Sequence, residues 1–130
     1  MGIKPNTDVF LRKGNTLCKN GHDILNRQDD ASLKEAIGIL EEALDLFTQL
    51  ECYGRCSEIF NIIGTACCEM TEYENSEDNL RKSIEYLQEA ITLSDYNESP
   101  IYHSLSQYNL GNTYRFLSEL KDRDTNLKTL

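Results

Sequence analysis

Apolar and polar positions recur along this chain with a helical period, and the whole pattern repeats. Leu33 begins one apolar run and Leu80 begins a second, 47 residues later. The apolar residues of the two runs correspond pairwise: Ile37 with Ile84, Leu40 with Leu87, Ala43 with Ala90, Leu44 with Ile91 and Leu46 with Leu93. This spacing forms one stripe of an amphipathic helix. Leu127 stands another 47 residues on, in NLKTL.

Glycines mark a second kind of segment, which recurs in the same register. Gly64 in FNIIGTAC and Gly111 in QYNLGNTY are 47 residues apart, and Gly14 in FLRKGNTL precedes Gly64 by 50. Glycine in a helix interior costs about 1 kcal/mol relative to alanine. We therefore expect each glycine to allow close approach of the second helix of its pair, near the small residues Ala43 and Ala90.

Capping residues and breakers predict where the helices begin and end. Polar residues able to cap a helix precede the leucine runs at Asp30 and Ser76. The pattern predicts helices at roughly 6–27, 31–51, 55–74, 77–95 and 100–122, with a stub from 125 onward. The turn-type segments are Asn20-Gly21 (within KNGHDILNRQDD, where we place about three extra residues of the first unit), Tyr53-Gly54 and Asn97 to Pro100.

Together the two helix types resemble the tetratricopeptide repeat (TPR), whose signature is W-x2-L-G-x2-Y followed by A-x3-F. The matching segments are Gln107-x2-Leu110-Gly111-x2-Tyr114, Phe60-x2-Ile63-Gly64-x2-Cys67 and Phe10-x2-Lys13-Gly14-x2-Leu17, with Ala36-x3-Leu40 and Ser83-x3-Leu87 in the second helices. The period of 47 exceeds the usual length of about 34, and the chain contains no tryptophan. YNLGNTYR is similar to the long-repeat members of that family.

The resemblance implies an all-α fold, a right-handed superhelical array of antiparallel helix hairpins (a TPR-like α-solenoid) of about two and a half repeats. A single domain over 1–130 would contain repeat 1 at about 6–52, repeat 2 at about 55–97 and a partial repeat 3 at about 100–130. In this family the first helices line a concave groove that binds a peptide or partner protein. We therefore expect a protein–protein interaction module, a scaffold or adaptor, without catalysis or cofactor.

The resemblance also indicates which positions face that groove, namely those just before the glycine and one, four or five residues after it. The candidate partner-binding residues are Asn15, Asn61, Asn109, Asn112, Arg115, Tyr108 and Phe116. Amides can pair with a peptide backbone, arginine with a carboxylate, and the aromatic rings can anchor apolar side chains. An asparagine on a helix can equally be solvated or bonded to a neighbouring carbonyl. Among the positions with which some members clamp a C-terminal carboxylate, only Asn15 matches, so we expect no binding of chaperone-tail peptides.

Charge and composition argue against several partner classes. The chain has 13 basic and 22 acidic residues, a net charge of −9, without the basic patch that nucleic acids or anionic membranes require. No apolar run approaches 18 residues and no apolar leader begins the chain, so we expect a cytoplasmic protein. An odd count of five cysteines favours free thiols in a reducing compartment.

The remaining chemical candidates are cysteines and acidic runs. The relevant residues are Cys52, Cys56, Cys67 and Cys68, with the histidines His22 and His103. They show neither the paired spacing of a zinc site nor the signature of a catalytic cysteine, so we predict no metal site and no enzyme. Acidic runs such as Glu41-Glu42 are typical of a solvated helix face.

The last segment, TNLKTL, repeats the start of NLRKSI and leaves a third helix pair incomplete. Helical arrays usually end in a polar capping element. We therefore expect either a piece of a longer array or an end covered by a partner, including self-association through the open C-terminal repeat. The alternative function is a regulatory or sensing segment of a larger multidomain enzyme or signalling protein.

Overall fold

The computed structural model describes residues 6–70, 76–94 and 100–128. The five helices are α1 (Thr7–Leu25), α2 (Asp30–Gln49), α3 (Tyr53–Glu69), α4 (Ser76–Leu93) and α5 (Pro100–Lys128). These three ranges contain no strand, which confirms the all-α prediction. The break predicted at 97–99 lies outside the described residues. Within the described ranges, no helix combines the length and the apolar character needed to cross a bilayer.

Side chains just before the first two helices cap them. The Asn6 Oδ1 accepts a hydrogen bond from the Val9 backbone N–H at 3.2 Å. The Asp29 carboxylate accepts from the backbone N–H and the hydroxyl of Ser32, both at 2.8 Å. These bonds satisfy donors that a helix start leaves unpaired, and they hold the pKa of Asp29 below its ordinary value. Helix α2 therefore starts at Asp30, one residue before the predicted start at 31.

The end of α2 is set by backbone hydrogen bonds rather than by a glycine. The Cys52 N–H donates to the Phe47 carbonyl at 2.9 Å, and the Glu51 N–H donates to the Thr48 carbonyl at 3.0 Å. Glu51 takes a left-handed conformation with φ of 57°. This pair of bonds around a left-handed residue is the Schellman motif. The turn thus falls just before the predicted Tyr53-Gly54 break.

Asn20-Gly21, the turn-type pair inside the helix predicted at 6–27, does not form a turn. Helix α1 continues through both residues to Leu25, and the turn lies between Leu25 and Asp30. Gly21 is buried, and a Cβ atom there would lie 2.8 Å from Leu40 Cγ on α2. The glycine therefore allows two helices to approach closely, rather than reversing the chain.

Four helices form two antiparallel pairs, α1 with α2 and α3 with α4, joined through contacts between α2 and α3. Of the ten residues in the two predicted stripes, Leu40, Ala43, Leu87 and Ala90 are fully buried, and the other six are half-buried. Leu33 and Leu80, which begin the two runs, are at most 2% exposed. The largest buried cluster joins α1, α2 and α3 through Cys18, Leu40, Ala43, Phe47, Cys56, Ile59, Ile63 and Cys67. Burial of these side chains is the main term that stabilises the fold.

The predicted close approach at the repeated glycines is confirmed at two of the three. A Cβ atom at Gly14 would lie 2.8 Å from Phe47 Cζ, and one at Gly64 would lie 2.8 Å from Leu87 Cγ. The atoms nearest to these two Cβ positions thus belong to Phe47 and Leu87. At Gly111 the prediction is wrong, since no atom of another described helix lies within 4 Å of a Cβ at that position.

Helix α5 differs from the others in length and in how it is held. The break predicted between 122 and 125 is wrong, because α5 runs unbroken to Lys128. No glycine or proline interrupts that stretch, and Lys121 Nζ lies 3.7 Å from Glu77 Oε1 of α4. The buried contacts of α5 are largely polar, and the Ser83 and Thr113 hydroxyls lie 3.3 Å apart. Within the described chain, Leu117, at 9% exposure, is the one buried apolar residue of α5.

We expect opposite effects from alanine at the two glycines that are 47 residues apart. Gly111→Ala adds a methyl group in free space and should stabilise the chain by about 0.5–1 kcal/mol, the helix-propensity difference. Gly64→Ala should destabilise it by about 1–3 kcal/mol, because Leu87 is fully buried and cannot move away. Urea denaturation followed by circular dichroism measures both changes.

The matched control is Gly38→Ala in α2, where a Cβ also meets nothing within 4 Å. It should stabilise the chain by the same amount as Gly111→Ala. A loss of stability at Gly111 together with a gain at Gly38 would show that the α5 face is covered in solution.

Candidate functional site

A cleft of about 360 Å³ lies where α1, α3 and α5 come together, and we call it the three-helix cleft. Its lining residues are His22, Leu25, Asn26 and Gln28 at the end of α1 and the turn after it, Asn61, Ile62, Thr65, Ala66 and Glu69 of α3, and Leu105 and Asn109 of α5. Three different glycine-bearing helices thus build one concavity. It presents both amides and apolar side chains.

Two of the predicted asparagines meet in this cleft. The Asn61 Oδ1 accepts hydrogen bonds from Asn109 Nδ2 at 3.1 Å and from the Ser106 hydroxyl at 3.2 Å. Asn109 Nδ2 also lies 3.5 Å from Thr65 Oγ1. Asn61 and Ser106 are buried, so these bonds hold α5 against α3. Within the described part of the chain, Asn61 Nδ2 and Asn109 Oδ1 make no hydrogen bond, which leaves one donor and one acceptor on the amides of the cleft.

Asn15, the third asparagine, lies on α1 and contacts Arg55 of α3. Its Oδ1 accepts from Arg55 Nη2 at 2.9 Å. The same guanidinium lies 3.3 Å from Glu58 and stacks over the Phe47 ring at 5.0 Å. Asn15 is therefore engaged in joining α1 to α3, and it does not line the three-helix cleft.

The other predicted site residues lie on α5 but do not line the cleft. Tyr108 is 67% exposed, and Asn112 is half-buried. Arg115 is exposed, lies 3.9 Å from Glu119 and stacks on the ring of Phe116 at 5.2 Å. The structure thus brings Asn61 and Asn109 together, while the remaining candidates are spread around α5.

Phe116 lines a second cavity of about 660 Å³, which we call the C-terminal pocket. Its lining residues are Cys68, Glu69, Ser76, Leu80, Phe116, Glu119, Leu120, Arg123, Asp124 and Leu127. Glu69 also lines the three-helix cleft, so the two cavities adjoin at that residue. Three carboxylates and one guanidinium lie beside the apolar residues of this pocket, so the net charge of its lining is negative.

Sequence reasoning missed the contribution of α1's end to the cleft, and Leu105 was not among the candidate binding residues. Leu105 lies four residues before Asn109, so the helical period alone places both on one face of α5. The helical period does not predict that the residues at the end of α1 and in the turn after it line the cleft. These are His22, Leu25, Asn26 and Gln28. They reach the cleft only because the turn after α1 lies beside α3.

The buried cysteines are poor nucleophiles. Burial raises the pKa of the Cys18, Cys56 and Cys67 thiols, and Cys67 reaches about 11. Such thiols stay protonated at neutral pH, whereas the thiolate is the reactive form. In the part of the chain that is described, no group of three or more His, Cys, Asp or Glu side chains is placed to hold a metal ion.

A serine and a histidine also lie close together, between the end of α4 and α5. The Ser94 Oγ lies 2.6 Å from His103 Nδ1, but the hydroxyl donates to the Ile91 carbonyl at 2.9 Å. Either the serine hydroxyl or His103 Nδ1 can be the donor in the contact between them, depending on the imidazole tautomer. The bond to the Ile91 carbonyl places the Ser94 hydroxyl at the C-terminal end of α4.

Comparison of this chain with protein families, with curated proteins and with solved structures finds no significant match in any of the three.

We expect the amide network to couple Asn61 to Ser106 energetically. Asn61→Ala leaves the fully buried Ser106 hydroxyl without a partner and should cost about 1–3 kcal/mol. Ser106→Ala should cost less, and the double variant should be no worse than Asn61→Ala alone, a coupling of about 1 kcal/mol. Urea denaturation of the four proteins measures this cycle.

Asn112→Ala is the matched control, because this half-buried amide makes no hydrogen bond within the described residues. It should change stability by no more than about 0.5 kcal/mol. Strict additivity of the Asn61 and Ser106 changes would mean that the two side chains do not interact in solution.

Stability should fall in alkaline solution because of Cys67. Burial raises its pKa from 9.0 to about 11, so the unfolded thiol ionises first as the pH rises. This contribution to the free energy of unfolding is complete below pH 9.0 and is lost as the pH approaches about 11. It amounts to about 3 kcal/mol. Urea denaturation of wild type and Cys67→Ala across this range checks the difference in slope; parallel pH profiles would contradict it.

Proposed function

We propose that this chain is a protein–protein interaction module of the tetratricopeptide type, whose three-helix cleft binds a peptide or a segment of a partner protein. The observation that carries the proposal is that the cleft is lined by α1, α3 and α5, the helices that contain the repeated glycines Gly14, Gly64 and Gly111. These are the helices that line the binding groove in the family that the sequence resembles. The repeated helix pairs and the glycine contacts are compatible with a superhelical array.

The polar groups of the cleft suit an extended peptide backbone. Asn61 Nδ2 is a donor and Asn109 Oδ1 is an acceptor, and neither makes a hydrogen bond within the described chain. A peptide unit offers the complementary C=O and N–H groups. Because Asn109 Nδ2 is already bonded to Asn61, the amide orientation is held before a ligand arrives, which lowers the entropic cost of binding.

Apolar side chains beside these amides provide contacts for ligand side chains. Leu105 is 41% exposed although it lies at the cleft, and Ile62 and Ala66 form the adjoining wall. Apolar side chains grouped in a concavity, with one of them exposed, are typical of a binding site. Glu69 at one end and a net charge of −9 favour a neutral or basic ligand.

Selection of binding peptides from a random displayed library tests this proposal, followed by measurement of the selected peptide's Kd. Leu105→Glu places a charge in the cleft and should weaken binding at least about ten-fold. The matched control is Ile101→Glu, one turn earlier on α5. Ile101 is 79% exposed and does not line the cleft, so its variant should bind like wild type.

Two results would reject the cleft as the binding site. One is a selected peptide whose Kd is unchanged by Leu105→Glu, and the other is equal weakening by Ile101→Glu. Circular dichroism spectra and urea midpoints of both variants show that they remain folded.

A further inference from the structure

One face of α3 packs against α4, and its contacts show which residues allow this packing. The Ser57 hydroxyl is buried and donates to the Ala90 carbonyl of α4 at 2.7 Å. Leu87 of α4 lies against Gly64, and the Ser83 carbonyl would be only 3.3 Å from a Cβ at that glycine. Glycine and serine thus let the two helix backbones approach closely.

Helix α1 presents the same kind of face to α2. Leu40 and Phe47 of α2 lie against Gly21 and Gly14, each at a distance that excludes a Cβ atom. The covering helices α2 and α4 share one sequence pattern. It consists of a small residue, a leucine four positions later and an alanine three positions after the leucine. The two sets are Ala36, Leu40 and Ala43, and Ser83, Leu87 and Ala90.

Helix α5 has the same residue types at the equivalent positions, but no helix among the described residues covers them. Ser104 and Gly111 stand 47 residues after Ser57 and Gly64 and have the same identity. Both are exposed, and among the described residues no atom of another helix lies within 4 Å of a Cβ at Gly111. Beside them Tyr108 is 67% exposed. Glycine at this helix position gives up helix propensity without any packing contact among the described residues that would offset it.

We propose that the open face of α5, formed by Ser104, Tyr108 and Gly111, binds an amphipathic helix of the α4 type, supplied by a partner protein. The partner helix presents a small residue, leucine and alanine in the spacing of Ser83, Leu87 and Ala90. Its leucine packs on Gly111, and a backbone carbonyl near its alanine accepts from the Ser104 hydroxyl. The assignment follows from the two equivalent faces of the same chain, which both carry a helix of this pattern.

This face is separate from the three-helix cleft, so the inference does not rest on the function proposed above. Leu105 and Asn109 line the cleft, whereas Ser104, Tyr108 and Gly111 do not. One helix therefore presents two surfaces, one for a peptide beside α3 and one for a helix on its other side.

A synthetic peptide with the sequence of residues 76–93, labelled with fluorescein, is the probe for this face. Fluorescence anisotropy should show saturable binding to wild type, and Gly111→Leu should weaken it at least about ten-fold, because the leucine fills the space of the partner's side chain. Gly38→Leu, at the exposed glycine of α2, is the matched control and should leave binding unchanged. Hydrogen exchange should show protection of α5 when the peptide binds.

The other outcomes overturn the proposal. Absence of binding overturns it, and so does binding that Gly111→Leu leaves unchanged, since the peptide would then be replacing α4 on α3. If sedimentation shows that the chain dimerises through α5 and the peptide does not compete, the occupant is a second copy. Leu105→Glu should leave peptide binding intact, so failure of the cleft and failure of this face are distinguished.

Discussion

Close approach of paired helices at glycine is the constraint on which the rest of this structure depends. At Gly14 and Gly64 the space that a Cβ would need is filled by Phe47 and Leu87, both fully buried side chains. The lost helix propensity of glycine is offset by burial of a large side chain against backbone. These contacts set the spacing within each pair, and the spacing in turn determines where the next helix can lie.

The fifth helix is held in a different way, and this difference produces the candidate site. Its buried residues include Ser106 and Thr113, and its contacts with α3 run through the Asn61 and Asn109 amides. Each hydrogen bond of such an interface contributes little net stability, but its geometry fixes the orientation of the two helices. The amide orientations in the three-helix cleft are therefore a consequence of how α5 docks.

Much of the fold was predictable from periodicity, because amphipathic stripes and capping residues act locally. The buried stripe through Leu40 and Leu87 and the five helices follow from the apolar pattern. The predictions of a turn at Asn20-Gly21 and of a break near 122–125 are wrong for different reasons. Gly21 allows α1 to pack closely on α2 and does not form a turn. Helix α5 continues through the position at which the 47-residue register predicts a new helix.

By itself the sequence determined the helices, the 47-residue register and the positions at which backbones can approach closely, since these depend on residue type and spacing along one chain. Only the tertiary structure decided which of the candidate side chains face a common space. Asn61 and Asn109 meet because α5 crosses beside α3, Asn15 binds Arg55 instead, and Gly111 is uncovered. The physical reason is that a side chain's partner depends on distances between segments far apart in the chain, and a local pattern contains no such distances.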